Sequence, residues 1–172
     1  MYMDFLTLAK NRYSCRKMSE KPVEQEKIDA IIEAARLAPT AKNLQPFKIW
    51  VMQSEEAVQT IHEITSCTFG AKVFFVVGAK KEEAWVRPSD HANFCHVDAS
   101  IVVTHMMLEI EELGLNPTWV GFFDAPALQE KCPEMKEYDL VAIFPVGYGA
   151  EDAAPSPRHT QRKEISDMVS IL

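Results

Sequence analysis

The chain switches several times between a helical and an extended spacing of apolar residues. Phe5, Leu6, Leu8 and Ala9 predict a short first helix ending near Lys10. Further on, Ile28, Ile31, Ile32 and Ala35 recur at the spacing of one helical face. Pro22 is read as opening this helix and Pro39 as stopping it. Residues 47–52, FKIWVM, read as a strand. Ser54 is a candidate N-cap with Glu55 and Glu56 in the favourable first turn, and Ala57, Val58, Ile61 and Ile64 supply an apolar stripe. VFFVVGA at 73–79, set between Lys72 and Lys80, has the unbroken apolar character of a central strand covered on both faces.

Residues 80–96, KKEEAWVRPSDHANFCH, follow without clear periodicity. VDASIVVTHMMLEIEEL at 97–113 predicts the longest helix, with Gly114 as its C′ residue. Because it is apolar on more than one side, it must be buried widely, in the core or against another subunit. TWVGFF at 118–123 and DLVAIFPVGY at 139–148 read as strands, separated by a short helix from about Ala125 to Lys131. The tail from Gly149 carries Pro155 and Pro157 and ends in a weak helical pattern. No internal repeat or linker interrupts the chain. The prediction is one α+β domain over residues 1–172, with four or five strands.

Composition narrows the partners. Apolar residues make up 47% and charged residues 25% of the 172, as in ordinary globular domains. No apolar run approaches the roughly 20 residues of a membrane span. The N-terminal stretch carries Asp4 early and its basic residues late, the reverse of a secretory signal, so a cytoplasmic setting is expected. Cys15, Cys67, Cys95 and Cys132 are scattered and form no CxxC pair, so free thiols are expected, with no disulfide framework and no zinc site. A net charge of −7 argues against nucleic acid. Any arginine that grips a phosphate here must belong to a local cluster.

Two segments could carry chemistry. In NRYSCRK, residues 11–17, Arg12, Ser14 and Arg16 alternate, so an extended backbone points all three the same way. Guanidinium forks match phosphate oxygens, although a solvated basic surface would look the same. In APTAKNLQPF, residues 38–47, the amides of Asn43 and Gln45 stand at a helix-to-strand corner. They could bind a ligand or, with Thr40, satisfy nearby backbone groups. His91, His96 and Asp98 fit no standard metal spacing, and capping is the simpler reading. His105 reads as a hydrogen-bonded core or interface histidine, and Trp85 as either pocket lining or surface packing.

Taken together, in this order and spacing, RYSCRK and APTAKNLQPF resemble the opening of the nitroreductase family, whose typical forms are close to RRSxRxF and APSxxNxQPW. The long helix followed by TWVGFFD, then VAIFPVGYGAED and PSPR, extends the resemblance over nearly the whole chain, except at about 80–96. It implies an α+β nitroreductase-like fold: a central, mostly antiparallel sheet flanked by helices, with the long helix at a dimer interface. It also implies an FMN-binding homodimer that uses NAD(P)H to reduce a nitroaromatic, quinone or similar acceptor by a ping-pong cycle. The alternative is a flavin-binding sensor or carrier without turnover.

On this resemblance Arg12, Ser14 and Arg158 would hold the FMN phosphate and ribityl chain, and Arg16 the ribityl chain or pyrimidine edge. Tyr13, standing where a basic residue is common, is counted with them. Pro39, Thr40, Ala41 and Asn43 would cover the flavin bound mainly by the other subunit, with Gln45 nearby. Trp119, Val120 and Gly121 would pass over the ring. The flavin carries the chemistry, so no catalytic side chain and no metal ligand are expected.

Overall fold

The computed structural model describes residues 4–172; the first three residues of the N-terminal stretch read for targeting lie outside them. Helix α1 spans Phe5–Asn11 and is capped by Asp4, whose carboxylate accepts the Thr7 N–H at 3.1 Å. Helix α2 runs Gln25–Leu37, strand β1 Phe47–Met52 and helix α3 Glu55–Ile64. The predicted Ser54 cap forms, accepting the Ala57 N–H. Strand β2 covers Val73–Ala79, helix α4 Cys95–Glu112, strand β3 Asn116–Pro117, helix α5 Ala125–Lys131 and strand β4 Asp139–Gly147. Gly114 follows α4 with φ +72°, the left-handed geometry a C′ residue needs.

The strands form one antiparallel sheet in the order β1-β2-β4-β3. Every residue of β2 is buried, because helices cover both faces. Val73, Phe75 and Val77 of β2, with Phe144 of β4, pack against Ile31 of α2 and Val102 and Met106 of α4. The alternate residues Phe74, Val76 and Ile143 pack against Ile61 of α3 and Leu128 of α5. The strand period of two thus sorts one apolar run into two cores. Among the described residues, no helix is long and apolar enough to cross a membrane.

Two elements depart from expectation. Pro22 does not open α2, which starts at Gln25. The stretch before it is held extended from the far end of the chain: Ser19 N–H donates to the Tyr148 carbonyl at 2.7 Å, and the Tyr148 hydroxyl donates to Glu24 at 2.7 Å. Residues 118–123 do not form a strand. The ladder is confined to Asn116–Pro117 and a single bridge between Val120 and Ile143. The extended segment after α1 lies against the start of this strip: Cys15 N–H donates to the Pro117 carbonyl at 3.2 Å, and the Thr118 side-chain hydroxyl bonds the Cys15 carbonyl.

Candidate functional site

Past α1 the chain is extended and anchored on both sides. Cys15 is fully buried, and Met18 N–H donates to the Phe69 carbonyl at 2.8 Å. With Cys15 turned inward, Ser14 and Arg16 face outward. The C-terminal tail then docks on the end of α1: His159 Nε2 lies 3.0 Å from the Lys10 carbonyl, and its ring meets Tyr13 edge to face at 6.3 Å. The result is a cavity of about 410 Å³ lined by Arg12, Tyr13, Ser14, Arg16, Ser156, Arg158, His159 and Arg162. Five predicted residues therefore converge in one place.

Ser156, His159 and Arg162 were not anticipated. Their sequence signal is faint, a knot of cations in an otherwise acidic chain. Arg162 donates to the His159 carbonyl at 2.6 Å, so it stiffens the turn that presents Arg158. Tyr13 remains a neutral phenol, its pKa pushed up to about 12 first by burial and then by its hydrogen bond with Cys15. Glu111, in the last turn of α4, feels both Arg12 and His159, yet burial outweighs them and raises its carboxyl above the usual range.

The corner loop is a one-turn helix at Ala41–Asn43 in an unusual backbone state. Lys42, Asn43 and Gln45 all adopt positive φ, at 53°, 55° and 53°, a region that side chains occupy at a cost. Thr40 Oγ1 accepts the Gln45 N–H at 3.0 Å, and Gln45 Nε2 donates to the Asn43 carbonyl at 3.2 Å. Two of the polar side chains thus do satisfy backbone groups. Pro39 and Asn43 stay exposed, and the turn is pinned where the Ala41 N–H donates to buried Asp98 at 2.9 Å.

In the 118–121 strip, Trp119 is partly exposed and Val120 is buried. Val120 exchanges both backbone bonds with Ile143, at 2.9 and 3.0 Å. Its own N–H is therefore committed, and the amides of Trp119 and Gly121 point away from β4. The strip abuts the arginine segment through Cys15 and Thr118. The corner loop lies elsewhere, beside Asp98 in the first turn of α4, whereas the arginine cavity lies beside Glu111 in its last. Along a helix these positions are about 20 Å apart. One chain does not bring the two halves of the expected site together.

The cluster HANFCHVD also separates. His91 sits exposed in a turn, and Asp98 bonds the corner loop. His96 Nε2 lies 2.7 Å from Asp139. Cys95, His96 and Asp139 place one ligand atom each within 4.8 Å of one another. However, Lys81 already holds the same Asp139 oxygen at 2.8 Å, and burial raises the Cys95 thiol. Trp85 stacks edge to face on Phe94 at 4.9 Å, which is packing within residues 80–96.

Comparison with known proteins agrees with this architecture. The chain matches the nitroreductase family over residues 9–69 and 65–148. A nitroreductase family protein from Clostridium difficile 630 superposes with a TM-score of 0.90 at 34% identity, covering 98% of each chain. The major NAD(P)H-flavin oxidoreductase of Aliivibrio fischeri is 38% identical over 94% of this chain and 95% of its own. A nitroreductase from Exiguobacterium sibiricum 255-15, solved in complex with FMN, shares the fold at 19% identity, with a TM-score of 0.84 over 99% of this chain and 98% of that one.

Proposed function

Because the chain belongs to the nitroreductase family, we propose that it is an FMN-dependent oxidoreductase that takes a hydride from NAD(P)H and passes it to a small organic acceptor. The observation that carries this reading is the convergence of Arg12, Arg16, Arg158 and Arg162 on one cavity of a protein with net charge −7. A terminal phosphate is close to dianionic, and charge-assisted bonds from guanidinium forks suit it. The cavity's polar character fits a phosphate and polyol tail rather than a planar ring.

Bound FMN supplies hydride transfer at its N5. The chain's own residues bind and orient. Arg12 and Arg158 would hold the phosphate and Ser14 the neighbouring hydroxyls, and Arg16 would reach the ribityl chain or pyrimidine edge. The Trp119 and Gly121 amides would lie beside the ring. A nicotinamide and an acceptor taking turns at one site beside bound flavin would give ping-pong kinetics. Nitroaromatics and quinones are the acceptor class by analogy.

The second half of the reading is a homodimer. The outer face of α4 carries an apolar groove of about 520 Å³ lined by residues including Val97, Ile101 and His105. In addition, Phe122 and the tail residues Ile165, Met168 and Val169 are exposed. Apolar faces of this kind mark interaction surfaces. Two α4 helices crossing about a two-fold axis would set the corner loop of one chain against the arginine cavity of the other, which joins the halves that one chain keeps apart. A cytoplasmic setting completes the proposal.

The test is an absorption spectrum of the purified protein with FMN added, followed by anaerobic NAD(P)H and then an acceptor. Flavin that binds, bleaches and recovers is the expected result. Bound flavin that no nicotinamide reduces would identify a carrier or sensor instead. A protein to which FMN does not bind would refute the reading.

A further inference from the structure

Asp98, which the sequence offered only as a capping residue near His91 and His96, is 1% exposed. Its Oδ1 accepts the Ala41 N–H at 2.9 Å across 57 residues, while its Oδ2 is buried with no hydrogen-bond partner among the described residues. A half-satisfied buried carboxylate is costly to keep, and packing alone would be served better by an apolar residue. Its place in the first turn of the 18-residue α4 offsets part of that cost, since the helix N-terminus favours negative charge.

The corner loop explains what the carboxylate does. Lys42, Asn43 and Gln45 hold left-handed backbone with side chains attached, a state that persists only where surrounding contacts over-determine it. The bonds from Thr40 and Gln45 lie within the loop. Lys80 N–H fixes its exit by donating to the Pro46 carbonyl at 2.9 Å. Asp98 ties the turn itself to the core.

We propose that Asp98 is a positioning residue for the cofactor roof: by holding the Ala41 N–H it keeps residues 39–45 in their bound shape before FMN arrives. The loop then pays no ordering entropy on binding. This rests on the FMN-dependent reading given above.

The experiment measures hydrogen exchange of the cofactor-free protein and FMN affinity for Asp98→Ala, Asp98→Asn and Ala41→Pro. Asp98→Ala should speed exchange in residues 39–46 without speeding it along the rest of α4, and raise the FMN Kd by about tenfold. Asp98→Asn keeps an acceptor for Ala41 and should restore both values close to wild type. Ala41→Pro removes the donor from the loop side of the same bond, at a half-buried residue, and its urea midpoint is measured alongside to confirm that the variant is folded. Thr40 already has ψ 159°, which a following proline accepts. It should raise the Kd like Asp98→Ala. Unchanged exchange at 39–46 in Asp98→Ala, or an unchanged Kd in Ala41→Pro, would overturn the proposal. If the wild type itself binds no FMN, the function reading falls, while the exchange measurement still judges Asp98.

Discussion

Glu111 and Asp98 stand near opposite ends of α4, each with one carboxylate oxygen buried and without a partner among the described residues. Helical spacing reveals only that both lie on the same predicted helix; what they face is contributed by segments remote in sequence. Glu111 carries a measurable consequence. Burial raises its pKa above the ordinary 4.5, against the pull of Arg12 and then His159. A carboxyl whose folded pKa is raised binds its proton more tightly when folded. Its contribution is therefore fully present below the unfolded value and is lost as pH rises through the folded value. In Glu111→Gln that loss is removed. Urea unfolding at about pH 4 and about pH 7 should show the variant gaining stability relative to wild type at the higher pH. A difference that stays flat, or falls, would mean that Glu111 is not strained by its burial.

At the level of elements, what could be read from the sequence was local. The stripe of α2, the Ser54 cap, the apolar run of β2 and Gly114 after α4 each state their structure within a few residues, and each forms. The strand expected at 118–123 is cut to one bridge at Val120, and the strip's two ends are held by residues remote in sequence: the Thr118 hydroxyl bonds the Cys15 carbonyl, and the Phe122 carbonyl accepts from the Thr65 hydroxyl at 2.6 Å. The docking of the tail was not legible either: its turn is held by local bonds, but His159 sets it against the end of α1, about 150 residues away in sequence. Strand β2 also hides a packing constraint at Gly78, where the pairing with β4 shifts register. A Cβ there would lie 2.9 Å from the Tyr138 Cβ and 3.0 Å from Trp50 Cζ3. Gly78→Ala should cost about 1–3 kcal/mol, read as a lowered urea midpoint with an unchanged slope. A midpoint equal to wild type would show that the edge formed by Trp50 and Tyr138 yields freely.

For the whole molecule, the question is whether one cofactor is held by one chain or by two. The sequence placed the arginine segment and the corner loop in the same site on the strength of family resemblance, and within one chain they sit at opposite ends of α4. If each site takes its phosphate grip from one subunit and its roof from the other, damage to the two parts can be sorted by mixing. Arg12→Ala should raise the FMN Kd by about tenfold or more through loss of a charge-assisted contact, and Asn43→Ala should weaken the roof. Each homodimer then has two impaired sites. A heterodimer of the two variants, isolated with a different tag on each chain, has one site with both lesions and one with neither. It should bind one FMN per dimer with wild-type affinity, measured by quenching of flavin fluorescence. Were each site built from a single chain, every site in the heterodimer would carry a lesion and no tight binding would return. Recovery of one tight site therefore requires two chains to share it, and its absence, with both variants dimeric, excludes that arrangement.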